Sequence, residues 1–245
     1  MKILAVLVNF GTEQLDYLEQ VVSELKLFKK YEVTVIVNSN ILLDIKGIDK
    51  VNVIELGNYQ LLPLTCRKVI WENRNDYDVF IYGENDHLFK EHHVDKHLEY
   101  EKILPKDRIT GLMQYEINDK KELYYPAYHA RYDWDMDSVE IYGGLKFAHF
   151  TNLHQATFIL SKNQLLKIGI LNDFTNFMGQ SYYSWKCKVN TDIYQFGGMK
   201  KLICISEFDD NLIHHLPNIY ISGDRGRLKL GSWDKRMRDK LNILL

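Results

Sequence analysis

Residues 78–86 read Asp-Val-Phe-Ile-Tyr-Gly-Glu-Asn-Asp, an apolar run that ends in an acidic segment. A short run of β-branched and aromatic residues is typical of a buried strand. Residues two apart in an extended segment point to the same side, so Glu84 and Asp86 could face one ligand together. Two carboxylates suit Mg²⁺ or Mn²⁺, and the alternative is an acidic turn that only terminates a strand.

The preceding 77 residues alternate between strand and helix patterns. Strands are predicted at Ile3–Asn9, Glu32–Val37 and Val51–Leu56, and helices from Leu15, capped by Thr12, and over Leu64–Asn75. This order predicts an α/β fold with an open, mostly parallel central sheet flanked by helices. Ligands bind outside the carboxyl ends of such strands, and polar clusters follow three of them: residues 9–12, 38–40 and 84–86.

The second half of the chain has a less regular pattern. It contains an aromatic-rich stretch from Tyr124 to Tyr132 and a predicted strand over Ala156–Leu160. A helix capped by Ser161 and a short strand over Leu202–Ile205 are also predicted. No clean boundary separates the halves, so we predict a single domain over residues 1–245.

Composition narrows the class of protein. The chain has 245 residues, 46% of them hydrophobic, and a net charge of −2, which gives no reason to expect a nucleic-acid partner. Three widely separated cysteines without a Cys-x-x-Cys pair favour a reducing, cytoplasmic location. No apolar run approaches the roughly 20 residues of a membrane helix. The basic tail, residues 223–245, either docks on the domain as a helix or contacts the cytoplasmic face of an anionic membrane.

The stretch from Leu61 to Leu88 resembles the GT-A glycosyltransferases, in which a helix, a strand and a D-x-D-like motif follow in this order. The resemblance implies a Rossmann-like domain that moves a sugar from a UDP- or GDP-sugar to a hydroxyl of a glycan or lipid-linked acceptor. It also implies dependence on Mn²⁺ or Mg²⁺ and inversion at the anomeric carbon. This chain has Glu-Asn-Asp instead of Asp-x-Asp, and the last Asp, here Asp86, is the usual metal ligand.

The same resemblance implies roles for further residues. Residues 1–100 would bind the nucleotide sugar, residues 101–222 the acceptor, and residues 223–245 would form the tail. On the donor side, the implied contacts are Asn9, Phe10 and Thr12 at the nucleobase and ribose, Asn38 at the edge of the nucleobase, and Arg67 and Glu84 near the diphosphate. The implied metal ligands are Asp86 and His215, with His215 preferred over His214. His154 and Gln155 are the implied contacts to sugar hydroxyls.

An inverting transferase needs a general base for the acceptor hydroxyl. Asp192 is the first choice because it lies between the acceptor-like segment and the metal-histidine segment, although a helix-capping role fits it equally well. The other candidates are Asp209, Asp210, Asp133 and Asp135.

Three other functions stay open on the sequence alone. A sugar nucleotidyltransferase shares the sheet and the metal, but residues 9–13 lack its glycine-rich basic loop. A non-catalytic carbohydrate- or nucleotide-binding module is favoured by the unusual acidic motif. The histidines at 87, 92, 93 and 97 suggest a zinc site, with a solvated helix face as the commoner explanation.

Overall fold

The structure is a computed structural model that describes residues 1–126, 133–221 and 231–245, the last of these with side chains from Met237 onward. The predicted aromatic-rich stretch therefore lies outside the described residues from position 127, and so do the first part of the tail and the side chain of Trp233. The described chain is an α/β fold with three sheets and six α-helices.

A five-stranded central sheet forms the centre of the fold, in the order β11-β4-β1-β2-β3. Its strands are Lys2–Asn9 (β1), Glu32–Ser39 (β2), Lys50–Val53 (β3), Val79–Glu84 (β4) and Thr157–Ser161 (β11). The first four run parallel, and β11 runs antiparallel to β4. Because Asn9 pairs with Ser39 and Val8 with Glu84, three strands end at the same edge.

The apolar run of β1 is buried because helices cover both faces of the sheet. Alternate side chains point to opposite faces of a strand. Ile3 and Leu7 pack in one cluster with Leu18 and Val22 of the helix Leu15–Lys26 (α1). The even-numbered residues of β1, such as Val6, pack in a second cluster with the helix Leu62–Glu72 (α2).

Two mixed four-stranded sheets are built from strands that follow β4 in the chain, in the orders β6-β12-β10-β9 and β5-β13-β7-β8. Their strands are His87–Leu88 (β5), Arg108–Thr110 (β6), Met113–Ile117 (β7), Leu123–Tyr124 (β8), Glu140–Tyr142 (β9), Leu145–Ala148 (β10), Lys200–Cys204 (β12) and Leu212–His215 (β13). The remaining helices are Glu91–Ile103 (α3), Lys162–Leu171 (α4), Trp185–Phe196 (α5) and Gly231–Leu244 (α6).

The predicted α/β class is confirmed, but a mostly parallel architecture is not, since every one of the three sheets is mixed. The predicted cap at Thr12 is wrong: α1 begins at Leu15, and Gln14 precedes it without a capping side-chain hydrogen bond. The cap at Ser161 is confirmed, because its hydroxyl accepts from the Gln164 amide at 3.2 Å.

The C-terminal helix α6 docks on the domain. Met237, Leu241 and Leu244 are buried in a cluster that includes Trp134 and Ile203. Of the apolar side chains predicted for a membrane contact, the described Met237, Leu241 and Leu244 are therefore packed within the protein. None of the described helices is long and apolar enough to cross a membrane.

Gly83 of β4 lies against the buried ring of Phe89, which gives a stability prediction. A Cβ at this position would lie 2.7 Å from Cε2 of Phe89 and 3.3 Å from Cδ2 of Leu7, and both side chains are fully buried. We expect Gly83→Ala to lower the free energy of unfolding by about 1–3 kcal/mol through overpacking. Urea unfolding measures the loss.

Gly57→Ala is the matched control, because a Cβ at Gly57 meets no atom within 4 Å. Its stability should equal or slightly exceed that of the wild type. Equal stability of the two variants would show that a Cβ at position 83 fits without a clash, which would contradict the structure.

Candidate metal centre

The pairing of β13 with β5 brings together residues that are far apart in sequence. His215 pairs with His87 across the two strands, and their ring centroids lie 5.0 Å apart. The amide of Leu216 donates to the carbonyl of Asp86 at 2.9 Å, so the pairing extends into the acidic turn after β4. Side chains opposite each other on paired strands share one face. The register therefore places both imidazoles beside the Asp86 carboxylate.

Asp86, His87 and His215 form a group that could bind a metal ion. All three are buried, and one potential ligand atom from each lies within 4.8 Å of the others. Oδ1 of Asp86 and Nδ1 of His87 are 2.7 Å apart, yet neither has a hydrogen-bond partner among the described residues. Nε2 of His215 lies 3.3 Å from Oδ2 of Asp86. Two buried polar atoms that converge without bonding are what a bound cation would satisfy, so the residues fit a metal ion.

Strand β7 supplies the groups that orient the two histidines. Glu116 is fully buried, and its Oε1 lies 2.5 Å from Nδ1 of His215. Its other oxygen accepts from the amides of Tyr220 and Ile221, each at 3.0 Å. With an ion bound at Nε2, Glu116 would accept the remaining proton on Nδ1, which is the usual support for a ligating histidine.

Gln114, two residues before Glu116 on β7, contacts Nε2 of His87 through its side-chain amide. If His87 offers Nδ1 to a cation, its Nε2 carries the proton and needs an acceptor. The amide of Gln114 can present its oxygen there, because its two orientations differ by a rotation alone. Both histidines thus have an outer partner on one strand.

The electrostatics of the group favour an ionised carboxylate. Burial acts to raise the pKa of Asp86, but His87 and His215 outweigh it and hold this pKa well below its ordinary value. Burial acts to lower the pKa of His215, but its hydrogen bonds with Asp86 and Glu116 raise it to about 9. Burial and the nearby Asp86 raise the pKa of Glu84, which lies outside the group of three.

A polar cluster joins the ends of the parallel strands next to this group. Asn9 donates to the hydroxyl of Ser39 at 3.2 Å and to the carbonyl of Gly11 at 3.0 Å, and accepts from the amide of Asn85 at 2.8 Å. Since Asn9 is buried and bonded on both sides of its amide group, the structure gives it a part in shaping the edge. The predicted contact of Asn9 with a nucleobase or ribose would have to use the hydrogen-bonding capacity that these three bonds leave.

Phe10 is one of two residues predicted to contact the base and ribose that stay accessible. Its side chain is 57% exposed, and its ring lies 5.1 Å from that of Tyr59. Thr12 is also exposed. Two neighbouring rings at a strand end suit the face of a planar base.

Asn38 and Gln155, predicted to contact ligands, are occupied by the protein. Asn38 is fully buried and bonds to Thr65 and Asn52, each at 2.8 Å. Gln155 accepts from the amide of Leu112 at 3.1 Å and donates to the carbonyl of His154 at 2.8 Å. Because these polar atoms are bonded within the protein, we no longer assign Asn38 or Gln155 as a ligand contact.

Arg67 and Asp192 lie in the interior, away from the strand ends. Arg67 donates to the carbonyls of Phe174 at 2.5 Å and Val189 at 3.3 Å, and burial lowers its pKa to about 10. Asp192 accepts from Lys188 at 2.6 Å and from the amide of Met178 at 2.8 Å, and lies 3.8 Å from Arg67. Both side chains are fully buried. With no exposed surface and with these bonds inside the protein, neither side chain is positioned to contact a bound ligand, so we correct the assignments of Asp192 as base and Arg67 as diphosphate contact.

The histidines of the suspected cluster divide in a way that the sequence did not indicate. His87 joins the candidate metal group, whereas His93 and His97 are buried in α3 instead of lining a solvated face. Nε2 of His93 lies 3.0 Å from the carbonyl of Leu212, and Nε2 of His97 lies 2.7 Å from Oε1 of Gln164. His214 stacks on Tyr115, which agrees with the preference for His215.

Comparison with known protein families finds none whose sequence pattern matches this chain. Comparison with curated proteins likewise finds no similar protein. The residues and their geometry therefore carry the functional inference.

The candidate metal group of Asp86, His87 and His215 gives a prediction about metal affinity. We expect the chain to bind Mn²⁺, and Glu116→Gln to weaken that affinity about 10–100-fold, because outer partners typically contribute this much. His215→Ala should weaken binding further, since it removes a ligand. Calorimetry and the electron paramagnetic resonance signal of free Mn²⁺ measure both effects.

His214→Ala is the matched control, because neighbouring residues of a strand point to opposite faces and His214 stacks on Tyr115. Its Mn²⁺ affinity should equal that of the wild type. Equal losses in His214→Ala and His215→Ala would contradict the assigned centre.

The buried ion pair gives a stability prediction that separates structure from catalysis. We expect Asp192→Asn to lower the free energy of unfolding by about 3–5 kcal/mol, since it leaves Lys188 and Arg67 buried without a counter-charge. Asp209→Asn, at a side chain that is 82% exposed, is the control and should change stability little. Urea unfolding compares them, and an Asp192→Asn variant as stable as the control would restore a catalytic reading of Asp192.

Proposed function

We propose that this chain transfers a sugar from a nucleoside-diphosphate donor to an acceptor hydroxyl, as a metal-dependent glycosyltransferase of the GT-A type. The observation that carries the proposal is the buried group of Asp86, His87 and His215 at the carboxyl end of β4. Open α/β sheets bind their ligands beyond the carboxyl ends of their parallel strands, which is this edge. The resemblance of residues 61–88 to GT-A enzymes agrees with this placement.

The donor nucleotide is proposed to lie across the ends of β1 and β2. Phe10 and Tyr59 provide rings for the base, and the edge formed by Gly11 and Asn40 borders them, since the Gly11 amide donates to Asn40 at 2.8 Å. The diphosphate would then extend along the sheet toward β4. Sheet order supports this direction, because β1 lies between β2 and β4.

A metal ion bound by Asp86, His87 and His215 would neutralise the negative charge that develops on the leaving diphosphate. One carboxylate oxygen and two imidazole nitrogens favour Mn²⁺ over Mg²⁺, which prefers oxygen ligands. We therefore propose Mn²⁺ as the physiological ion. Glu84 stays a donor-side candidate, because its carboxylate is half-buried beside this group.

The reaction breaks the bond between the anomeric carbon and the diphosphate oxygen and joins that carbon to the acceptor oxygen. The proton of the acceptor hydroxyl passes to a base, and a base on the face opposite the diphosphate would give the expected inversion. Asp86, His87 and Asn85 are all buried, which would limit the access of water to the leaving-group side. The acceptor is proposed to be a glycan or a lipid-linked sugar.

Nucleotide binding tests the proposal. We expect UDP or GDP, but not CMP, to bind with at least tenfold higher affinity in the presence of Mn²⁺, because the ion would bridge the protein and the diphosphate (about 1.4 kcal/mol per factor of ten). Calorimetry on the wild type measures this dependence. Asp86→Ala should abolish the effect of Mn²⁺, while His214→Ala should keep it.

The matching nucleotide sugar is then assayed for release of nucleoside diphosphate. Full turnover by Asp86→Ala, or nucleotide binding that ignores Mn²⁺, would sink the scheme. Release of nucleoside monophosphate and sugar phosphate in place of the diphosphate would favour a different metal-dependent reaction.

A further inference from the structure

Two aromatic side chains beside the proposed site are exposed although their size favours burial. Tyr182 is 75% exposed, and Trp185, the first residue of α5, is 48% exposed. Exposed aromatic groups that lie together mark binding surfaces more often than single exposed residues do. Tyr183, between them in sequence, is buried.

The ring of Tyr182 is held in one orientation by its neighbours. It lies 4.3 Å from the ring of Tyr183, and its hydroxyl donates to the Tyr183 hydroxyl at 2.9 Å. The Tyr183 hydroxyl in turn donates to Oδ1 of Asn152, a buried residue, at 3.1 Å. An exposed ring that is already fixed loses little entropy when a ligand stacks on it.

Strand pairing places this aromatic surface next to the candidate metal centre. Thr157 of β11 pairs with Gly83 of β4, so the residues just before Thr157 lie beside the turn that begins at Glu84. Among them, His154 has its ring 5.8 Å from that of Tyr183. Helix α5 is fixed to the same loop, because Asn190 donates to the carbonyl of Gln155 at 2.7 Å.

The order of the sheet separates this surface from the nucleotide side. In the order β11-β4-β1-β2, the rings of Phe10 and Tyr59 belong to the β1 end, and the Tyr182 surface belongs to the β11 end. The metal group follows β4, between them. A ligand on the β11 side would thus approach a diphosphate at the candidate metal group from the side opposite the nucleobase.

We propose that Tyr182, Tyr183 and Trp185 form a platform that binds a pyranose ring of the acceptor through its apolar CH face. The inference rests on the proposed function and names the acceptor as a sugar. Tyr182 and Trp185 provide the stacking faces, and Tyr183 positions Tyr182. The half-buried His154 borders the platform as a polar group suited to sugar hydroxyls.

Saturation-transfer NMR with the methyl glycosides of glucose, galactose and N-acetylglucosamine tests the platform on the full chain. At least one glycoside should bind the wild type, with the strongest transfer to its ring CH protons. Tyr182→Ala and Trp185→Ala should each weaken that binding about two- to tenfold, as expected for the loss of one aromatic contact. Tyr182→Phe keeps the ring and should bind nearly as well as the wild type.

Ile170→Ala is the control, because Ile170 is an 84% exposed apolar residue on α4 and is not part of the platform. It should leave glycoside binding unchanged. The platform is overturned if no glycoside binds the wild type, or if the Tyr182→Ala and Trp185→Ala variants bind as well as Ile170→Ala.

The same samples are titrated with UDP and GDP in the presence of Mn²⁺. Failure of the proposed function would remove nucleotide binding from the wild type, whereas failure of the platform alone would leave it intact. Weakened glycoside binding with unchanged nucleotide binding in Tyr182→Ala and Trp185→Ala is the result that supports the platform.

Discussion

The antiparallel pairing of β5 with β13 is the contact on which the candidate site depends. It sets His215 opposite His87, and the bond from Leu216 to Asp86 continues it into the turn after β4. A slip of one residue in this register would send the imidazole of His215 to the opposite face. Parallel pairing of β13 with β7 adds Glu116 behind the same imidazole. The site is thus a product of sheet register, and metal binding would in turn favour the correctly paired state.

Buried charge fixes a second junction, between α2 and α5. Arg67, Lys188 and Asp192 form a group of two cations and one anion in the interior, and backbone carbonyls take up part of the remaining donor capacity of Arg67. Such groups add little net stability over a well-packed apolar core, but a missing partner is costly. Their effect is to allow one relative placement of the helices. That placement also determines where α5 begins, and so where Trp185 and the loop before it lie.

Local patterns predicted most of the first half, and long-range pairing explains what they missed. The strands at Ile3–Asn9 and Glu32–Val37 and the cap at Ser161 follow from apolar runs and capping chemistry, and the structure has them within one or two residues. Asp86 and His215 were predicted as metal residues. The sequence groups His87 with the histidines at 92, 93 and 97, because spacing cannot show that a two-residue strand pairs with a segment 128 positions away. Arg67 and Asp192 look like functional charges in the sequence, and only burial reveals their mutual pairing.

The positions of these groups along the sheet constrain any reaction at this edge. The accessible rings near β1 lie on one side of the metal group, and the exposed aromatic residues near β11 lie on the other. A ligand that spans from β1 to β4 would place its phosphates at the group, since this is where the converging carboxylate and imidazoles are. A second ligand, such as an acceptor, would then have only the β11 side from which to approach the group. The antiparallel direction of β11 creates that side, because its first residues and the loop before them emerge beside the end of β4. In an all-parallel sheet the equivalent strand would begin at the far edge, and its preceding loop would lie away from the metal group.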